Sequence, residues 1–196
     1  MQWPVVTLAV LFATLPGCMM VREGKVKAPS PWPPQQTQEK KSIALTVAGV
    51  PDPSGAHQMP RPEAIENARL EAVRAYTESG LFSSVVVSDQ PTDLRADIAL
   101  IEDGSDSLGW SGAVSALTFT MFPGYVSENV ILKTNFTGRD KKVIDSIEKK
   151  EELGFWIQFF LLFAMPFIDS PSTVGQSAQY DIHRATIQEA HGRGIF

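Results

Sequence analysis

Cys18 is the only cysteine in a chain of 196 residues, so an intramolecular disulfide is impossible and its thiol needs another role. The other side chains with chemical reach are scattered. His57, His183 and His191 are the three histidines. His183 and His191 are eight positions apart, two helical turns, whereas a chelating pair sits at i and i+4. All three read as surface histidines. Glu102, Asp103 and Asp106 surround Gly104, but the spacing is not Asp-x-Asp-x-Asp-Gly and no bidentate Glu follows, so a solvated turn is expected and no metal site. Ser111-Gly112 does not complete a Gly-x-Ser-x-Gly elbow, and neither a phosphate loop nor a dinucleotide fingerprint is present. No catalytic constellation emerges. The expectation is a protein that is not an enzyme and takes no cofactor.

The elements that would position any site follow from periodicity. Ser42 to Gly49 alternates Ile43, Leu45 and Val47 against small residues, which predicts a strand. Pro62 to Ser79 predicts a helix with Ile65, Ala68, Ala72 and Tyr76 on one stripe and Val73 beside it. Glu66/Arg69 and Glu71/Arg74 are paired at i,i+3, and Gly80 is a natural stop. Ser83 to Ser88 reads as a short strand. Ala96 to Glu102 is apolar on both faces and reads as a central one. Val130 to Phe136 and Lys142 to Glu148 flank Gly138-Arg139-Asp140 as a hairpin. Ser177 to Ala190 suits an amphipathic helix using Ala178, Ile182 and Ala185. This order predicts an α+β sandwich of one domain over residues 42–196, with a mostly antiparallel sheet and helices on one face.

Two apolar segments interrupt that plan, residues 108–126 and 153–168. They flank the hairpin, so chain connectivity alone brings both out at one end of the sheet. Their aromatics, Trp110, Phe119, Phe122, Tyr125, Phe155, Trp156, Phe159, Phe160 and Phe163, are the candidate contact surface for a membrane or a protein partner. A bilayer span takes ~20 apolar residues; the second segment is shorter and carries Pro166, while Gly, Ser and Thr dilute the first. A hairpin that crosses or dips into the membrane, a packed subcore, and a surface for a protein partner or a homo-oligomer remain alternatives. The net charge of -5, with no basic cluster, argues against a nucleic-acid partner.

The N-terminus supplies a role for the cysteine. Val5 to Leu15 is an apolar run too short to span a bilayer, and it ends in Leu15-Pro16-Gly17-Cys18. This resembles the lipobox of bacterial lipoproteins. The resemblance implies a signal peptide over residues 1–17, cleavage after Gly17 and acylation of Cys18. It also implies an outer-membrane location facing the periplasm, because Met19 and not Asp follows the cysteine. Residues 18–41 are rich in Pro and Gln and read as an extended tether.

The helix before Gly80, the run Leu81-Phe82-Ser83-Ser84-Val85 and the strand at Ala96-Asp97-Ile98 are similar to small outer-membrane lipoproteins with a TolB N-terminal-like or curli-secretion-like α/β domain. Leu117 to Tyr125 followed by a hairpin and an aromatic stretch looks like other bacterial lipoproteins. The resemblance implies a binding, scaffold or assembly factor of the cell envelope. A membrane-inserting or pore-forming secretion component built on the two apolar segments is the alternative.

Overall fold

The computed structural model describes residues 17–24, 26–35, 39–51, 59–88, 90–104, 109–118 and 120–196. His57, Asp106 and Phe119 lie outside the described residues, as does the side chain of Trp110. The elements in chain order are β1 (Gly17–Arg22), β2 (Lys41–Gly49), α1 (Pro62–Glu78), β3 (Phe82–Val86), β4 (Leu94–Gly104), α2 (Gly109–Leu117), β5 (Gly124–Gly138), β6 (Val143–Gln158), α3 (Leu161–Ala164), a 3-10 turn (Met165–Phe167) and α4 (Pro171–Gly192). The strands hydrogen-bond in the order β1-β6-β5-β4-β2-β3.

The composition is α+β, but the expected antiparallel sandwich is wrong. The sheet is mixed: β2 runs parallel to both of its neighbours, β3 and β4. The cause is α1, which carries the chain back to the end of the sheet where β2 began, so β3 must start in the same direction. The chain then crosses to the other side of β2, where Leu94 enters beside Ile43. Asp93 pins that crossing. Its carboxylate accepts from the backbone N–H (2.9 Å) and hydroxyl (2.7 Å) of Ser42, and these bonds hold its pKa below the ordinary value. α1 packs on β2 and β3, whereas α3 packs on β1.

The chain divides into two compact units. One takes in the described parts of Met1–Glu23, Gly104–Glu128 and Leu153–Gly175; the other is Gly24–Asp103, Asn129–Glu152 and Gln176–Phe196. The second unit holds most of the buried apolar side chains. Ile43 and Leu45 of β2, Leu94, Ala96, Ile98 and Leu100 of β4, and Val130, Leu132 and Phe136 of β5 are buried. Ala68, Ala72, Ala75 and Tyr76 of α1 are buried, and α1 packs on β2 and β3; of the predicted stripe Ala68, Ala72 and Tyr76 are buried and Ile65 is half-buried. Gly80, at φ 65°, ends the excursion after α1 in a conformation that suits glycine. Phe196 joins the core, tilted against Phe82 at 4.8 Å and edge-on to Phe136 at 5.8 Å.

Candidate functional site

The candidate surface belongs to the first unit and begins with backbone geometry. β1 pairs antiparallel with the end of β6, placing Cys18 opposite Ile157, Met19 opposite Trp156 and Met20 opposite Phe155. β6 therefore runs ten residues beyond the strand expected from sequence, and the apolar segment 153–168 enters as strand before it turns. The backbone of Gly17 is pressed against the first turn of α3: a Cβ there would lie 2.2 Å from the Leu162 nitrogen. The other apolar segment forms α2 and the start of β5. The N–H of Phe159 donates to the carbonyl of Thr120 at 2.9 Å, so the two segments meet directly.

Within this frame the aromatics divide into two groups. Tyr125 and Trp156 pack as a tilted ring pair at 4.9 Å, and the Tyr125 hydroxyl donates to Glu23 at 3.2 Å. Gly154 makes room for that ring: a Cβ would come within 2.8 Å of it and 3.1 Å of the Glu23 carboxylate. Phe155 and Phe159 are half-buried. Phe159 is a hub, edge-on to Phe160 at 5.6 Å and to Phe163 at 6.0 Å. Trp156 keeps an exposed edge, and other described aromatics of the two segments face outward. Phe122 is 60% exposed, Phe160 56%, Phe163 66% and Phe167 87%, and Leu117, Met121 and Met165 are exposed with them. Leu117, Met121 and Met165 were not among the residues singled out from sequence, where aromatic density alone was the signal.

Between α2 and the start of β5, Gly112, Ser115, Thr120 and Gly124 line a small apolar hollow with Ile157. The Ser115 hydroxyl there is buried without a hydrogen-bond partner. The arrangement supplies apolar contact and no reacting group.

The residues weighed for chemistry are dispersed. His183 is completely buried on α4, a correction to its expected surface position, and its Nε2 lies 3.2 Å from the Ala68 carbonyl oxygen. His191 sits between the carbonyl oxygens of Phe196 (3.1 Å) and Gln35 (3.2 Å). Glu102 accepts from the Arg61 N–H, and Asp103 faces Lys150 at 3.8 Å. Among the described residues no group of His, Cys, Asp and Glu is arranged to hold a metal ion. No described helix is long and apolar enough to cross a membrane.

No family model and no curated protein matches the chain. Among solved structures it is similar to a point variant of the PelC dodecamer from Paraburkholderia phytofirmans, at 12% identity and a TM-score of 0.40 over 87% of this chain and 96% of that one. The PelC dodecamer in a second crystal form gives 10% and 0.37 over 87% and 97%. A neuraminyllactose-binding hemagglutinin homologue from Helicobacter pylori gives 12% and 0.40 over 85% and 90%. Likeness at this level bears on neither function nor partners.

Proposed function

We propose that this chain is a lipid-anchored, non-enzymatic protein of the bacterial envelope, acylated at Cys18 and held on the periplasmic face of the outer membrane as a binding or scaffold factor. The observation that carries this reading is the position of the only cysteine. It ends an apolar run at Leu15-Pro16-Gly17-Cys18 and lies on β1 beside the strand that leads into the exposed aromatics. Anchor and apolar surface thus belong to one unit. A single acyl chain binds a membrane marginally, and several together anchor stably.

Cys18→Ser with metabolic acyl labelling tests the reading. Loss of label and accumulation of an uncleaved precursor are expected. Label that survives the substitution shows that acylation, if any, lies elsewhere.

A further inference from the structure

We propose that the ledge formed by Phe160, Phe163, Met165 and Phe167, with Met121 and Phe122 beside the turn that receives Phe159, inserts into the interfacial layer of a lipid leaflet, without any need for anionic headgroups. The proposal rests on the anchor reading above, which brings this unit to the bilayer.

Phe159 to Phe167 reads FFLLFAMPF, and no side chain in it can make an ordinary hydrogen bond. None of the residues of α3 or of the 3-10 turn is buried. Phe163, Met165, Pro166 and Phe167 are exposed and Leu161, Leu162 and Ala164 half-buried, an apolar run held in place by backbone bonds from Leu162 to Phe159, from Phe163 to Phe160 and from Phe159 to Thr120. Apolar surface of this continuity marks an interaction site.

Its composition selects the occupant. Protein interfaces carry about one hydrogen bond per 100–200 Å² and favour Tyr, Trp and Arg at their centres. Hydrocarbon asks for no polar partner at all. There is also no Asp, Glu, Lys or Arg from Leu153 to Ile168 or from Gly109 to Ser127, so attraction to charged lipid has no source in the ledge. Continuity with the anchor completes the case. Cys18 stands opposite Ile157, two residues before Phe159, and α3 rests on the strand that carries it. Acyl chains on Cys18 enter the leaflet where the ledge does. The ledge is too short to cross and lies in the plane of the interface.

The test uses the full acylated protein in phosphatidylcholine vesicles. Phe163→Cys introduces one free thiol for a nitroxide, and Lys142→Cys, in the exposed hairpin turn, gives the aqueous reference. Thermal melts matching the parent confirm folding, which the exposure of both positions favours. At position 163 the collision ratio of oxygen to a nickel chelate should exceed that at 142 severalfold. It should not change when phosphatidylglycerol is added or salt is raised. A ratio equal to that at 142 overturns the proposal, as does protection from both reagents, which would mean that protein, such as a second copy, covers the ledge. A requirement for phosphatidylglycerol also overturns it. Two labels per chain and an N-terminal peptide without acyl mass mark failure of the anchor reading instead. Depth at 163 is then read with Cys18→Ser, and an aqueous ratio there still refutes the ledge.

Discussion

His183 has no exposed surface, and among the described residues its hydrogen-bond contact is at Nε2, with the Ala68 carbonyl. Burial disfavours the imidazolium and holds the pKa down to about 4, against 6.5 when free. The unfolded chain therefore takes up a proton near pH 6.5 that the folded chain resists. Stability is full above pH ~6.5 and falls as the pH drops towards 4, by on the order of 3 kcal/mol. Glu66, Asp93, Asp145 and Glu189 have lowered pKa values. Their contributions are present above the ordinary carboxylate range and are lost only in more acid solution, so of these groups only His183 acts in the window between pH 6.5 and 4.5. Urea midpoints at pH 7 and pH 5 should differ clearly for the parent and much less for His183→Gln. Equal parent midpoints would mean that His183 is not held neutral. The residue was misplaced from sequence because α4 buries polar side chains, Gln179, His183 and Thr186, alongside Ile182 and Ile187. An apolar stripe drawn through Ala178, Ile182 and Ala185 points the helix slightly wrong, and Ala185 is only half-buried.

At the scale of elements, the turn after α2 holds the strain. Thr120 has φ 61°, a left-handed conformation that a β-branched residue adopts at a cost of about 1–2 kcal/mol. It ends the helix through its own N–H to the Ser115 carbonyl at 2.7 Å and then receives the Phe159 N–H. Thr120→Gly should relieve the strain and raise the unfolding free energy by about 1 kcal/mol, read as a higher urea midpoint, while Thr120→Ala should not. A glycine variant no more stable than the alanine variant would show that the side chain's packing outweighs the strain. Where periodicity is strong the elements were legible. β2, α1 and β3 fall within two residues of their expected bounds, because Ile43, Leu45, Ala68, Ala72 and Tyr76 repeat with the right period. Strand direction was not legible, since alternation is the same for parallel and antiparallel neighbours. The end of β6 was obscured for another reason: Leu153 to Ile157 is apolar on both faces, a pattern shared by buried strand and buried helix. The meeting of the two apolar segments was legible, because it follows from the hairpin.

On the scale of the whole molecule, the stretch whose composition suggested a solvated spacer makes contacts that composition does not encode. Glu151 of β6 is fully buried, and its carboxylate accepts from the N–H groups of Gly24 at 3.2 Å and Val26 at 2.6 Å. Further on, Arg184 of α4 donates to the Pro29 carbonyl at 3.3 Å and lies over the Trp32 ring at 4.9 Å. These partners are more than a hundred positions apart in the chain, and backbone N–H groups carry no side-chain pattern that would announce the contact. Glu151→Leu removes the acceptor and leaves those amides without it, one of them buried. Hydrogen bonds to a charged group are worth about 1.5–3 kcal/mol each, so a loss of roughly 3 kcal/mol is expected, with Glu151→Gln between the two because it keeps one acceptor oxygen. The local consequence is sharper than the global one. Limited trypsin digestion at Lys27 should accelerate strongly in Glu151→Leu under conditions where the fold is retained by circular dichroism. Cleavage at the parental rate would mean that the Arg184 and Trp32 contacts, and not the carboxylate, hold the segment in place.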